Sequence, residues 1–184
     1  MTSGPAEAGL PARYVRLGVD VGDVRVGLAR SDRDGLLATP VGTLERAAAA
    51  REVAACAIED EARVIMVGLP RTLAGQEGPA AAKARAFCAE LVAALEAGGG
   101  EVEIRLVDER LTTVTAHQAL HTSGRKGRRH RAVVDQVAAV MILQQALDLE
   151  RSTGRRAGEA FEGTRRHAEP HSPGPGRTDQ ETDR

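Results

Sequence analysis

Aromatic residues are scarce in this chain of 184 residues. The sequence has no Trp, one Tyr and two Phe, whereas 42% of its residues are hydrophobic. A folded core must therefore be built mainly from aliphatic side chains. Proteins that hold single strands by stacking bases on exposed rings need several aromatic residues. The composition therefore excludes a stacking platform, and we expect any bound nucleic acid to be held mainly through its backbone.

Cysteine is equally rare. Cys56 and Cys88 have no metal-ligand spacing, and both fall in stretches with helical periodicity. We therefore interpret both as buried small hydrophobic residues.

The sequence also lacks a strong net charge and long apolar runs. Its formal net charge is −1, so any attraction for nucleic acid must be local. No apolar run approaches the roughly 18–20 residues that span a bilayer, and residues 1–12 lack the basic start and apolar core of a signal peptide. We therefore expect a cytoplasmic protein without a membrane partner. P-loop and G-x-S-x-G motifs are missing, which argues against the corresponding nucleotide and acyl-transfer chemistries.

Composition divides the chain into one domain and two tails. Residues 1–12 and 151–184 are rich in Gly, Pro, Ser, Thr and charged residues, and aliphatic side chains are almost missing after Leu149. Such segments bury too little apolar surface to offset their chain entropy. We predict disorder in both tails and a single folded domain over residues 13–150.

Hydrophobic periodicity predicts the elements of that domain. Alternation predicts three antiparallel strands joined by tight turns, and later segments alternate between helical and apolar-strand patterns. The predicted strands are 14–21, 24–31, 36–43, 64–67 and 102–107, and the predicted helices are 45–60, 79–97, 113–121 and 132–150. The order β-β-β-α-β-α-β-α-α indicates an α/β fold with a mixed five-stranded sheet and helices on both faces.

Three acidic residues interrupt otherwise apolar patterns. Asp20 lies near the end of the first strand with small residues beside it, Glu109 follows an apolar strand, and Asp135 lies on an apolar face of the last helix. Each has an ordinary alternative. Asp20 could simply begin a turn, Glu109 could pair with Arg110 at the surface, and Asp135 could stabilise a helix N-terminus. Asp108 competes with Glu109 for the same role.

Converging carboxylates are typical of phosphodiester hydrolysis with Mg²⁺. This ion prefers oxygen ligands and keeps several waters, and two such ions about 4 Å apart stabilise both the attacking and the leaving oxygen. We therefore predict that Asp20, Glu109 and Asp135 are catalytic and metal-binding residues, with Mg²⁺ as the cofactor and Mn²⁺ as the alternative.

A basic stretch precedes Asp135. Clustered cations can follow a phosphate backbone with salt-dependent affinity, although a merely solvated loop is the alternative. The predicted nucleic-acid-binding residues are Arg25, Arg110, Arg125, Lys126, Arg128, Arg129 and Arg131.

Four motifs in order resemble the pre-16S rRNA nuclease family, also called Holliday-junction-resolvase-like. They are LGVDVGDVRVGLA at 17–29, VGLP at 67–70 with GQEGP at 75–79, VDERLTT at 107–113, and DQVAA at 135–139 with ILQ at 142–144. The resemblance covers about residues 14–149. It implies a ribonuclease H-like fold, metal-binding or catalytic roles for Asp20, Glu109 and Asp135, and maturation of the 5′ end of small-subunit rRNA. Junction resolvases of this fold usually carry another acid or His where this chain has Ala138, which weakens the case for a second metal.

Two other functions compete with endonucleolytic processing of structured precursor rRNA on the ribosomal subunit. Resolution of branched DNA by the same acids predicts a stable two-fold dimer, whereas the sequence shows no large apolar dimer face and suggests a monomer or weak dimer. A non-catalytic ribosome-assembly factor would bind RNA through residues 125–131. A sugar-kinase-like ATPase is excluded, because the chain is too short for a second lobe.

Overall fold

The computed structural model describes residues 13–109 and 128–162, with the backbone alone for 128–134. Six strands form one sheet in the order β3-β2-β1-β4-β5-β6. The strands are β1 Arg16–Val21, β2 Arg25–Ser31, β3 Ala38–Glu45, β4 Val64–Leu69, β5 Glu103–Asp108 and β6 Glu159–Ala160, and the helices are α1 Arg46–Glu59, α2 Pro79–Ala97 and α3 Arg128–Thr153. None of these helices is long and apolar enough to cross a membrane.

The mixed sheet confirms the predicted fold class. β1, β2 and β3 pair antiparallel, as expected for strands joined by short turns. β4 and β5 continue the sheet parallel to β1, because helical crossovers return the chain to the same edge. The carboxyl ends of β1, β4 and β5 therefore lie side by side at the same end of the sheet. In open α/β folds, ligands bind at this end.

Each face of the sheet carries its own apolar core. Alternate β1 residues, Leu17 and Val19, pack with α1 and α2, including Val53 and Phe87. Among the described helices, α3 packs on the opposite face, through a smaller cluster that includes Ile142. A side chain on that second face therefore faces α3 or the space at its ends.

Glycines on the sheet allow α3 to pack closely. A Cβ at Gly18 of β1 would lie 2.6 Å from the Cβ of Leu143, and a Cβ at Gly27 of β2 would collide with the backbone carbonyl of Asp135. Real Cβ atoms do not approach other atoms so closely, so a larger residue at either position would push the helix away. These two glycines therefore provide room for α3 from the sheet side.

Polar contacts fix the C-terminal half of α3. The amide of Gln144 accepts a hydrogen bond from the backbone N–H of Ala38 at 2.9 Å and donates one to the carbonyl of Leu36 at 3.0 Å. Arg16 of β1 and Glu150 form a buried ion pair at 2.9 Å. Contacts at Gln144 and at Glu150 therefore hold the C-terminal half of α3 against the region of the first three strands.

Four expectations need correction. The sheet has a sixth strand, and the chain from 151 to 162 is not a disordered tail: α3 continues to Thr153, Ala157 is 1% exposed, and β6 pairs with β5. The last helix begins at Arg128 rather than at 132, so the basic residues from 128 onward belong to a helix. Cys88 is buried as expected, but Cys56 is only partly buried. The predicted helix 113–121 lies outside the described residues.

Candidate active site

Asp20 lies on the α3 face of β1. Alternation places it on the same side of the sheet as Gly18, and its partner across the antiparallel pair is Gly27 of β2. Gly27 in turn lies directly beneath the backbone of Asp135. The register of the first hairpin therefore brings Asp20 and Asp135 together, although 115 residues separate them in the sequence.

Glu109 follows β5 immediately and folds inward over β4. The residue is 6% exposed, one of few buried charged residues in the described chain. Its Oε1 atom lies against Gly68, where an added Cβ would collide with it, and the Cδ1 of Ile142 would lie 2.6 Å from the same Cβ. Glycine in an otherwise apolar strand thus makes the space for a buried carboxylate.

Asp108 takes a different position from Glu109. It is partly buried and lies 3.8 Å from a guanidinium nitrogen of Arg71. Arg71 also contacts Glu77 at 3.2 Å and Glu159 at 3.3 Å. Asp108 therefore belongs to an ion-pair network around Arg71, whereas the Glu109 carboxylate lies against Gly68 of β4.

The three candidate acids act on one another electrostatically. Burial, first, and the negative charges of Glu109 and Asp135 together raise the pKa of Asp20 to about 7. Like charges shift a carboxyl pKa in this way only when they lie near it in a poorly solvated place. Carboxylates from β1, the end of β5 and α3 therefore share one neighbourhood.

The chemistry of this neighbourhood fits a hard divalent cation. Its donors are carboxylate oxygens, and a nearby cation would lower the pKa of Asp20 again. Over residues 13–109 and 128–162, however, no group of three or more His, Cys, Asp or Glu side chains is arranged to hold a metal ion. A closed cage is not required for Mg²⁺, which commonly binds one or two carboxylates and several waters.

The predicted nucleic-acid-binding residues are only partly described. Arg25 opens β2 and lies on the same face as Gly27, two residues away, so it borders the acids at the sheet edge. Arg128, Arg129 and Arg131 lie in the first turn of α3, where the structure gives the backbone alone. Arg110, Arg125 and Lys126 lie outside the described residues.

Two polar residues near the acids escaped the sequence interpretation. Arg71 and Gln145 line a cleft beside Asp108. Arg71 follows the VGLP motif, and the predicted strand 64–67 ends at the first residue of that motif. The structure instead places Gly68 and Leu69 in β4 and ties the following turn through an Arg71–Glu77 bridge. Local sequence patterns gave no signal for either residue.

The fold defines a class, the ribonuclease H-like fold that is found in RuvC. A solved structure of Thermus thermophilus RuvC superposes with a TM-score of 0.50 over 79% of this chain and 99% of that chain. The sequences are 14% identical, so this likeness shows the fold alone.

The chain belongs to the RuvX family, whose model, described as Holliday junction resolvase, matches residues 14–149. A protein of Nocardioides sp. is 52% identical over 158 residues, covering 82% of this chain and 97% of that protein. One of Streptomyces coelicolor is 53% identical over 150 residues, covering 80% and 87%. Both are named "Putative pre-16S rRNA nuclease". The family resemblance drawn from the motifs is therefore confirmed.

Proposed function

We propose that this chain is a Mg²⁺-dependent endonuclease that processes the 5′ end of precursor 16S rRNA during ribosome biogenesis in the cytoplasm. The observation that most directly supports this proposal is the partly buried carboxyl of Asp20. Its pKa is raised to about 7 by burial and by Glu109 and Asp135. Relatives that are about half identical in sequence carry the name of such a nuclease. Strongly perturbed acids at the edge of a parallel sheet are typical of catalytic sites.

Asp20, Glu109 and Asp135 would hold Mg²⁺, or Mn²⁺ in its place. When bound, the cation supplies stabilisation of negative charge that develops on the phosphate oxygens during hydrolysis. The chain's own contribution is placement. Gly68 leaves space for the Glu109 carboxylate, and Gly27 allows α3 to bring Asp135 beside Asp20.

Basic residues around these acids would bind the phosphate backbone. Arg25 lies on the acid-bearing face of the sheet, and the first turn of α3 contributes further cations. Arg110, Arg125 and Lys126 complete the proposed interface from outside the described residues. This arrangement would position a structured RNA by its phosphates, with precursor rRNA on the ribosomal subunit as the proposed partner of a monomer or weak dimer.

The second candidate function is cleavage of branched DNA, which the description of the matching family model favours. A four-way junction is two-fold symmetric, so this function predicts a stable dimer that presents two sites. The same acids would serve both reactions. Substrate preference and oligomeric state therefore separate the two candidates.

The deciding experiment compares both substrates with one protein preparation. Purified protein is incubated with Mg²⁺ or Mn²⁺ on a precursor 16S rRNA fragment and on a four-way DNA junction, beside Asp20→Asn. We expect the rRNA fragment to be cut near its mature 5′ end by wild type and not by the variant. Equal cutting by Asp20→Asn would contradict the catalytic assignment. RNA binding without cleavage would instead support a ribosome-assembly factor.

A further inference from the structure

A cleft of about 210 Å³ lies beside the proposed active site, at the open end of β5. β6 pairs only with Arg105 and Leu106, so the edge of β5 beyond them borders this cleft. Asp108 lines the cleft and directly precedes Glu109, which places the cleft next to the acids. Its walls are formed by Leu69, Arg71, Leu106, Val107, Asp108, Gln145, Ala146, Leu149, Gly158 and Glu159.

Two of the residues that line the cleft carry polar atoms without partners. In the part of the chain that the structure describes, Arg71 Nε and Gln145 Oε1 are buried and make no hydrogen bond. Native proteins satisfy nearly all such atoms, because an unmet buried donor or acceptor is destabilising. The cleft therefore contains one unpaired hydrogen-bond donor and one unpaired acceptor. A ligand that carries both an acceptor and a donor could pair with them.

Ion pairs fix the position of the Arg71 guanidinium. Its Nη atoms contact carboxylates on three sides, Glu77, Asp108 and Glu159. Arg85 braces the same network from α2 by donating to Glu77 at 2.7 Å and to Glu159 at 2.7 Å. The guanidinium is therefore preorganised, with its Nε–H still to be paired.

The neighbouring Gln144 shows what a structural glutamine looks like on this helix. Its amide bonds to Ala38 N–H, to the Leu36 carbonyl and to Asp148, with distances of 2.9, 3.0 and 3.1 Å. Gln145, one residue further on, has a buried oxygen with no partner. The two residues share residue type and helix, so they form a matched pair for separating a structural role from a binding role.

Charge and shape restrict the occupant. The charged residues in the wall are one arginine and two acids, Asp108 and Glu159, so a phosphate would meet net repulsion. The remaining wall is largely aliphatic and suits the faces of a flat, neutral ring. The volume lies below the range typical of drug-sized ligands, which limits the occupant to about one ring system.

We propose that this cleft binds one unpaired nucleobase of the RNA substrate, beside the phosphate to be cut. Arg71 Nε–H would donate to a ring nitrogen or a carbonyl oxygen of the base, and Gln145 Oε1 would accept from a ring or exocyclic N–H. All four bases offer such a donor and acceptor on their pairing edge, and a base withdrawn from its stack exposes both. The cleft would thus select substrates with an unpaired nucleotide next to the cleavage site. This proposal rests on the proposed nuclease function and adds a substrate preference to it.

The test follows one base by fluorescence while cleavage is blocked. Full-length Asp20→Asn protein is mixed with a short single-stranded RNA that carries one 2-aminopurine, a base with a ring acceptor and an amino donor. Emission reports the environment of that base, and anisotropy of an end label reports RNA binding separately. The same measurements are repeated with Gln145→Met and with Gln144→Met added.

We expect 2-aminopurine emission to change on binding, and Gln145→Met to remove this change and weaken RNA binding about tenfold, the size of one lost hydrogen bond. Gln144→Met should keep the emission change and lower the melting temperature. Gln145→Met should leave the melting temperature unchanged or raise it. The proposal is overturned if RNA binds with no emission change, or if Gln145→Met destabilises the protein as much as Gln144→Met.

Failure of the cleft and failure of the nuclease assignment give different results. Wild-type cleavage of precursor rRNA with unaltered cleavage by Gln145→Met would overturn the cleft and keep the nuclease. The expected emission change in a protein that never cuts RNA would keep the cleft as a base-binding site and overturn the nuclease. Absence of both RNA binding and cleavage overturns both.

Discussion

The carboxylate of Glu109 lies directly over the α-carbon of Gly68, on the neighbouring strand β4. An added Cβ at position 68 would collide with Glu109 Oε1 and would lie 2.6 Å from Ile142 Cδ1. Because Glu109 is 6% exposed, its carboxylate has little free space into which it could move. The identity of residue 68 therefore controls where the Glu109 oxygen atoms lie.

Gly68→Ala should lower both the cleavage rate and the stability of the fold. The added methyl group must displace Glu109 or Ile142, and displacement of a catalytic group by about 1 Å can cost roughly 10²-fold in rate. Overpacking at this position should lower the free energy of unfolding by about 1–3 kcal/mol. Steady-state cleavage of precursor rRNA and chemical denaturation measure the two effects.

Two further variants make the Gly68 prediction specific. Gly42 of β3 has no atom within 4 Å of an added Cβ, so Gly42→Ala should leave cleavage unchanged. Ile142→Val removes the crowded Cδ1 atom, and the double variant Gly68→Ala with Ile142→Val should therefore recover stability without recovering activity. Recovery of activity in the double variant would show that Ile142, not Glu109, transmits the effect.

Asp20 should make stability depend on pH when divalent cations are removed. Its pKa in the folded protein is about 7, above the ordinary value of 3.8, because of burial and of Glu109 and Asp135. The folded state therefore retains a proton that the unfolded state has lost. This contribution to stability is complete below about pH 4 and disappears as the pH rises through 7.

The loss of stability over that range should be on the order of 2–4 kcal/mol. Urea denaturation in EDTA at a series of pH values measures it, and Asp20→Asn should flatten the profile because the amide does not titrate. Added Mg²⁺ should raise stability mainly above pH 7, where Asp20 is ionised. A wild-type profile as flat as that of Asp20→Asn would contradict the assigned pKa.

The sequence alone singles out three candidate acids but not the residues around them. Asp20, Glu109 and Asp135 are visible in a linear pattern because a carboxylate in an apolar run is unusual for any fold. Arg71 and Gln145 are not visible, because their importance depends on two buried atoms that lack partners, and this property exists only after packing. The local periodicity of a sequence does not show which side-chain atoms lack partners in the folded protein.

The sixth strand was missed for a different reason. β6 has two residues, Glu159 and Ala160, and neither is strongly apolar. Ion pairs from Glu159 to Arg71 and Arg85 hold it in place, together with backbone pairing to β5. Composition suggested a disordered tail because aliphatic residues are few there. The segment is ordered mainly by partners that are distant in the sequence.

Removing one partner of the buried ion pair between Arg16 and Glu150 should destabilise the fold more than removing both partners. Its side chains are 7% and 9% exposed, and Glu150 also accepts a hydrogen bond from Ala157 N–H at 3.2 Å. Arg16→Met leaves a buried carboxylate without its cation, which should cost about 3–5 kcal/mol. Replacing both residues by Met should cost clearly less than either single change.

An exposed pair provides the comparison for that cycle. Arg33 and Glu61 lie 3.4 Å apart with side chains 63% and 79% exposed. Arg33→Ala should change the free energy of unfolding by about 0.5 kcal/mol or less. Chemical denaturation of all four variants gives the coupling energy, and additive costs at Arg16 and Glu150 would show that the two residues act independently.

Arg25 should control RNA affinity through the phosphate backbone. It begins β2 on the acid-bearing face of the sheet, and each phosphate contact releases condensed counterions when RNA binds. Arg25→Gln in an Asp20→Asn background should weaken binding similarly for unrelated RNA sequences. It should also reduce the slope of log affinity against log salt by about 1.

The matched control is Arg51, an exposed arginine on α1. This helix packs on the opposite face of the sheet from α3, so Arg51→Gln makes the same change in net charge far from the acids. Fluorescence anisotropy at several salt concentrations compares the two variants. If RNA followed only the overall charge of the molecule, both substitutions would weaken binding equally. A loss confined to Arg25→Gln would instead place the phosphate backbone along the face that carries Asp20 and Asp135.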